Sequence, residues 1–182
     1  MIVPFDEELL NPASIDVLLG NNLMIESPVD MTMQLHNLQG YTAQDPYWLR
    51  PGEFVLAETR ETFDIPEHLS GQFALKSSRA REGYSHMLAG WIDPGWHGSK
   101  LTLELQNARK MHSLPLYPGL KIGQIIFFEM SEKPLKSYAE VGHYNNDTKV
   151  SALSHASRDR SSRPACGNNL PSPCCSLAQT VR

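Results

Sequence analysis

The hydrophobic positions of this chain fall in short runs broken by Pro and Gly, and sustained helical periodicity is scarce. That pattern predicts a mainly β protein. Strands are expected over residues 54–58, 71–75, 86–92, 101–106 and 122–129. The clearest is the fourth. Leu101, Leu103 and Leu105 alternate with Thr102, Glu104 and Gln106, so the leucines face a core and Glu104 faces the opposite side of the sheet. Asp93-Pro94-Gly95 and Tyr117-Pro118-Gly119 read as tight turns, with Pro fixing φ and Gly taking the conformation a side chain resists. Residues 77–83 read as a helical turn with Ser77 as its N-cap. Many short strands joined by Gly/Pro turns predict a barrel or jelly roll with short helices.

Composition shifts near residue 151. Residues 1–150 read as one domain, large enough to bury a core. Residues 151–182 are rich in Ser, Pro, Asn and Arg and almost free of large apolar side chains. Such a segment cannot offset its ordering entropy by burial, so a disordered tail is expected. The formal charge is −4, which gives no support to a general nucleic-acid coat. Charge is uneven: Arg158, Arg160, Arg163 and Arg182 against Asp159 give the tail +3 and leave −7 for the remainder. An acidic body that binds a polyanion needs a local basic site, and Lys76, Arg79 and Arg81 are placed to make one.

All three cysteines, Cys166, Cys174 and Cys175, lie in the tail, so no disulfide framework is expected in the domain. The first residues lack the basic and apolar blocks of a signal peptide, and no apolar run has the length of a membrane span. The cytoplasm is the expected compartment, with no membrane partner.

Lys76-Ser77-Ser78 with Arg81 has the chemistry of an anion site, since hydroxyls and backbone N–H groups at a turn ligate phosphate oxygens and Arg adds charge-assisted bonds. A solvated Ser-Ser loop with basic neighbours has the same composition. No Walker-type loop is present, which removes the main support for an ATPase. Asp93 fits either a turn residue capping its own backbone or a carboxylate that holds a sugar hydroxyl or a water. Glu104, amid leucines, lies either on a wet face or in a pocket, where a carboxyl suits proton transfer. The histidines are scattered, and no H-x-E with P-C-x-x-C arrangement is present, which disfavours a zinc mechanism.

Several motifs in order resemble the dCTP deaminase family, a branch of the dUTPase-like superfamily. They are Pro12 to Gly20, Pro51 to Leu56, Lys76-Ser77-Ser78 with Arg81, His86 to Gly98, Leu101 to Glu104, and Pro118 to Gln124. The resemblance runs from about Asn11 to Lys149 and omits the tail. It implies a distorted β-barrel or jelly roll, a homotrimer with active sites between subunits, and hydrolysis of dCTP to dUTP and ammonia without catalytic zinc. Magnesium would accompany the triphosphate. By the same resemblance Glu104 matches the glutamate that activates water for attack on cytosine C4. Ser77 and Arg81 match residues that orient this water, and Lys76, Ser77 and Ser78 match triphosphate contacts. Ala89 matches the small residue beside the base, and Asp93 the carboxylate near the deoxyribose 3′-hydroxyl. Tyr138 matches a tyrosine of the segment covering the nucleotide, to which Lys149 also belongs.

The chain departs from the family pattern at three points. The interval from Arg81 to His86 is one residue short. The closing segment reads His143-Tyr144-Asn145-Asn146-Asp147 in place of Lys-Tyr-x-x-Gln. Ala89-Gly90-Trp91-Ile92-Asp93 looks more like bifunctional deaminase–diphosphatases and dUTPases. Alternatives to plain deamination are therefore a dUTP diphosphatase, a bifunctional enzyme giving dUMP and diphosphate, and a nucleotide-binding trimer without turnover.

Overall fold

A computed structural model describes residues 1–150; the expected disordered tail and its three cysteines lie outside the described residues. Twelve strands follow in order: β1 (Ile2–Val3), β2 (Leu10–Asn11), β3 (Ser14–Glu26), β4 (Met33–Asn37), β5 (Tyr47–Leu49) and β6 (Phe54–Phe63), then β7 (Leu69–Leu75), β8 (Tyr84–His86), β9 (Trp91–Ile92), β10 (Ser99–Asn107), β11 (Leu114–Leu116) and β12 (Lys121–Glu129). A 3₁₀ turn spans Glu7–Leu9, and the helices are α1 (Ser77–Glu82) and α2 (Tyr138–Val141). One sheet runs β8-β10-β6-β3-β12-β7-β9, with β1 added to β6 and β2 and β4 added to β3; β5 and β11 pair apart from it. The sheet's two ends turn toward each other. The Phe73 amide donates to the Gly90 carbonyl at 2.7 Å, and the Phe73 and His86 rings lie 4.7 Å apart. The result is a mainly β, curled, barrel-like sheet, as the turn-rich pattern predicts.

The curl depends on β3. Its first half pairs with β12, as in Asp16 opposite Gln124, and its second half with β6, as in Met24 opposite Leu56. Residues 15–20 are all buried, so this strand has no alternation to betray it. β5 and β11 are too short, at three residues each, to show a period in the sequence, and Pro115 lies inside β11.

Ladder register breaks where β6 meets its neighbours, between Leu19 and Leu23 on β3 and between Lys100 and Thr102 on β10. Side chains of β6 take over the backbone groups left without strand partners. Glu61 Oε2 accepts from the Leu18 amide at 3.0 Å, and Thr59 Oγ accepts from the Leu101 amide at 3.0 Å. Glu58 accepts from Asn22 at 3.0 Å and from the Lys100 ammonium at 2.9 Å. Glu58, Thr59 and Glu61 are all buried. The strand expected to stop at residue 58 therefore continues through this polar run to Phe63.

Two local expectations are corrected. The segment 86–92 is two strands, since β8 pairs with β10 and β9 with β7, and the chain changes sheet edge at Leu88, where φ is +64°. In α1 the N-cap is Lys76, with extended backbone and no side-chain capping bond, and Ser77 is the first helical residue. Both tight turns form as read, with backbone bonds from Trp96 to Asp93 and from Leu120 to Tyr117.

Leu103 and Leu105 are fully buried, as the alternation of β10 requires, among Leu19, Leu23, Val55 and Ile125, whereas Leu101, expected to face the core with them, sits at the register break, half-buried and in the wall of a cavity. Leu103→Ala removes three heavy atoms from this close-packed centre. It should lower unfolding free energy by about 2–5 kcal/mol, read from urea denaturation.

Candidate active site

A cavity of about 460 Å³ lies beside β9 and β10 under the chain's C-terminal arm, which comprises α2 and the residues to 150. Ala89, Asp93, Glu104 and Tyr138 line it together with Trp91, Lys100, Thr102, Tyr144 and Asp147. On β10, Lys100, Thr102 and Glu104 share the face opposite the buried leucines Leu103 and Leu105. Glu104 is thus in a pocket rather than on a freely solvated face, with its side chain 26% exposed. Its Oε2 lies 3.2 Å from Nε2 of His86, a side chain only 5% exposed. His86 comes within reach because β8 pairs with β10 in the register Leu105–His86. The two are eighteen positions apart in sequence, and no spacing marks them as a pair.

Asp93 stands at the start of the Asp93-Pro94-Gly95 turn. Its Oδ1 accepts from the Trp91 indole at 3.0 Å, and no bond to its own backbone is formed among the described residues. The arm docks on the same turn. The Tyr138 amide donates to the Pro94 carbonyl at 3.0 Å. Gly95, at φ +87°, is where the two segments touch: a Cβ there would stand 2.1 Å from Ser137 Oγ. Gly98, at φ +63°, makes the same allowance for Asn146. Burial pushes the Tyr138 phenol above the ordinary tyrosine value, and the Asp93 charge adds to the shift, so the phenol stays a hydrogen-bond donor at neutral pH.

Beyond α2 the arm is held by a chain of bonds. The Trp96 indole donates to the Tyr144 carbonyl at 3.0 Å, and Ser99 Oγ donates to the same carbonyl at 2.6 Å. Ser99 Oγ also accepts from the Asp147 amide at 3.0 Å, and the Lys100 amide donates to the Asp147 carbonyl at 3.0 Å. Glu58 Oε2 then accepts from the Val150 amide at 3.2 Å. Lys149 is exposed, and its amide donates to Asp147 Oδ1 at 3.2 Å.

Lys76, Ser77, Ser78 and Arg81 are elsewhere. None of the four lines the cavity, and Ser77, Ser78 and Arg81 are exposed along α1. The Lys76 ammonium sits 2.5 and 2.6 Å from the two oxygens of Asp16, a side chain 5% exposed that also accepts from Asn11 at 2.7 Å. Asp16 therefore fixes the base of α1. Among the described residues no three His, Cys, Asp or Glu side chains gather into a metal-binding group, and no helix is long and apolar enough to cross a membrane.

Residues 1–130 match the family model described as dCTP deaminase-like. This chain belongs to that family. A relative from Corynebacterium efficiens, named "dCTP deaminase, dUMP-forming", is 41% identical, with 71% of each chain covered. One of the same name from Methanoregula boonei is 35% identical over 86% of this chain and 90% of its own. The solved 2′-deoxycytidine 5′-triphosphate deaminase from Agrobacterium tumefaciens has the same fold, with a TM-score of 0.55 at 19% identity. It covers 69% of this chain, which in turn spans 42% of that one. In this dCTP deaminase-like protein the family match ends at residue 130, before α2 and the rest of the arm.

Ser99 holds the arm through both a carbonyl and an amide. Ser99→Ala should speed hydrogen exchange at the Asp147 amide, a loss of about 1–3 kcal/mol of local protection. Exchange at the Leu103 amide should be unchanged.

Proposed function

We propose that this protein converts dCTP to dUMP, ammonia and diphosphate, joining hydrolytic deamination to cleavage of the triphosphate. The observation that carries this reading is the meeting of Glu104, Ala89 and Asp93 in one cavity, closed by Tyr138. The names of the relatives join deamination to dUMP formation, which favours this over dUTP as the final product. In the proposed first step Glu104 takes a proton from a water whose oxygen bonds to cytosine C4. The C4–N4 bond then breaks, and the proton returns to the departing ammonia. In the second step a water held by Asp93 attacks the α-phosphorus and the bond to the β-phosphate bridge breaks. Magnesium belongs to the substrate here, as the magnesium complex of the triphosphate.

Charge supports a site shared between copies. The cavity carries Asp93, Glu104 and Asp147 against the single ammonium of Lys100, which Glu58 already engages. Such a lining suits a neutral nucleoside and repels a triphosphate. The phosphates therefore need a cation from outside: Arg81 of a neighbouring copy has the charge for it and Ser77 and Ser78 the hydroxyls, while Lys76, held by Asp16, would meet the phosphates only by sharing its ammonium. Lys149 on the arm adds a further cation. A homotrimer with sites between subunits is the assembly proposed, working on deoxycytidine and deoxyuridine nucleotides in the cytoplasm.

Purified protein incubated with dCTP and magnesium should release ammonia and diphosphate in equal amounts and accumulate dUMP. With dUTP it should release diphosphate alone. Accumulation of dUTP would leave a deaminase only, and diphosphate from dUTP without ammonia from dCTP would leave a diphosphatase. Glu104→Gln should cut ammonia release on the order of 10²–10⁴-fold while nucleotide binding persists. Full ammonia release by that variant would overturn the role given to Glu104.

A further inference from the structure

The geometry points to Trp91 as a positioning residue for Asp93, holding one carboxylate oxygen so that the other faces the substrate. This rests on the role proposed above for Asp93. The turn fixes the main chain of Asp93, since the Trp96 amide donates to the Asp93 carbonyl at 3.3 Å. It does not fix the side chain. Among the described residues the only hydrogen bond to that carboxylate comes from the Trp91 indole, at 3.0 Å to Oδ1. Both residues line the cavity, so the bond is made at the wall where substrate binds.

Trp91 needs its own support to act in this way. β9 is two residues long, lies at the end of the sheet order, and pairs only with β7. The support comes from Phe128 on β12, whose ring stacks on the indole with centroids 6.1 Å apart and planes at 21°. Trp91 and Phe128 are 59% and 41% exposed as residues. Apolar burial alone does not account for an indole left this open, whereas a stacked face with a directed N–H gives the carboxylate one orientation. The positions serve three functions in sequence: Phe128 sets the indole plane, the indole N–H sets Oδ1, and Oδ2 is left for the sugar hydroxyl or the attacking water.

Trp91→Phe keeps an aromatic ring over Phe128 and deletes the donor. Replacing Trp91 with 3-benzothienylalanine keeps the bicyclic shape, exchanges N–H for sulfur, and decides the matter if the Phe variant does not fold. Diphosphate release from dUTP and ammonia release from dCTP would be measured with magnesium, separating kcat from KM, for these variants, Asp93→Asn and the Trp91→Phe/Asp93→Asn double variant. Loss of one hydrogen bond to a charged group should lower kcat/KM for diphosphate release about ten- to a hundred-fold, with an unchanged Tm. Ammonia release should fall by a smaller factor, and the double variant should be no slower than Asp93→Asn alone. Wild-type rates in the Trp91 variants beside an impaired Asp93→Asn would overturn the positioning role and leave the role of Asp93 intact. Independent, multiplying losses in the double variant would also overturn it, because Trp91 would then act on the substrate directly. An unimpaired Asp93→Asn would instead remove the role proposed for Asp93.

Discussion

The fold turns on how β6 closes the gaps left when β3 changes partners. A strand that pairs first with β12 and then with β6 cannot keep a continuous ladder on both sides. Backbone amides stranded by the change lie in the interior, where an unpaired donor costs as much as a lost hydrogen bond. Glu61 provides the acceptor at Leu18, Thr59 does the same for Leu101 at the separate register break between β6 and β10, and Glu58 gathers Asn22, Lys100 and Val150. Buried carboxylates are tolerable only with partners of this kind. Gly20 is part of the same arrangement, since a Cβ there would stand 2.7 Å from the Glu58 side chain.

From that junction the site follows. Glu58 holds Lys100 at one end of the cavity face of β10 and the Val150 amide at the end of the arm. The arm must therefore lie along Trp96 to Lys100, and Tyr138, Tyr144 and Asp147 become cavity wall. The opposite wall comes from the crossing between β8 and β9, where Leu88 takes a left-handed conformation and Ala89 reaches the cavity. A bulky, non-glycine residue at positive φ is costly and persists only where the surroundings demand it. Here the two flanking strands pair with different partners, and the chain has few residues in which to pass between them.

The same geometry divides the chemistry by charge. Carboxylates and aromatic side chains collect in the cavity, while the exposed hydroxyls and Arg81 of α1 sit outside it, with Lys76 anchored on Asp16 at the helix base. Sequence motifs place both sets in one functional list, but a single copy does not bring them together. That separation is the physical reason for proposing a site completed by a neighbour.

Much was legible in the sequence because it is local. The alternation of β10, the two Pro-Gly turns and the short helix after Lys76 follow from side-chain period and backbone preference, and each is present. The family motifs named Ala89, Asp93, Glu104 and Tyr138, which share the cavity. What could not be read depends on partners distant along the chain. β3 is absent from the strands that periodicity predicts because both faces of residues 15–20 are covered, and 86–92 reads as one strand because nothing local records a change of sheet edge. The strand is expected to end at residue 58 because the hydrogen-bond partners of the polar run Glu58 to Glu61 lie up to 92 residues away. His86 beside Glu104 and Trp91 on Phe128 are likewise products of register and curl. Composition and period by themselves determined a turn-rich β domain with a carboxylate opposite a leucine face. Only the tertiary structure decided which buried polar groups meet, because hydrogen bonds and ion pairs act over a few ångströms and long-range pairing alone sets those distances.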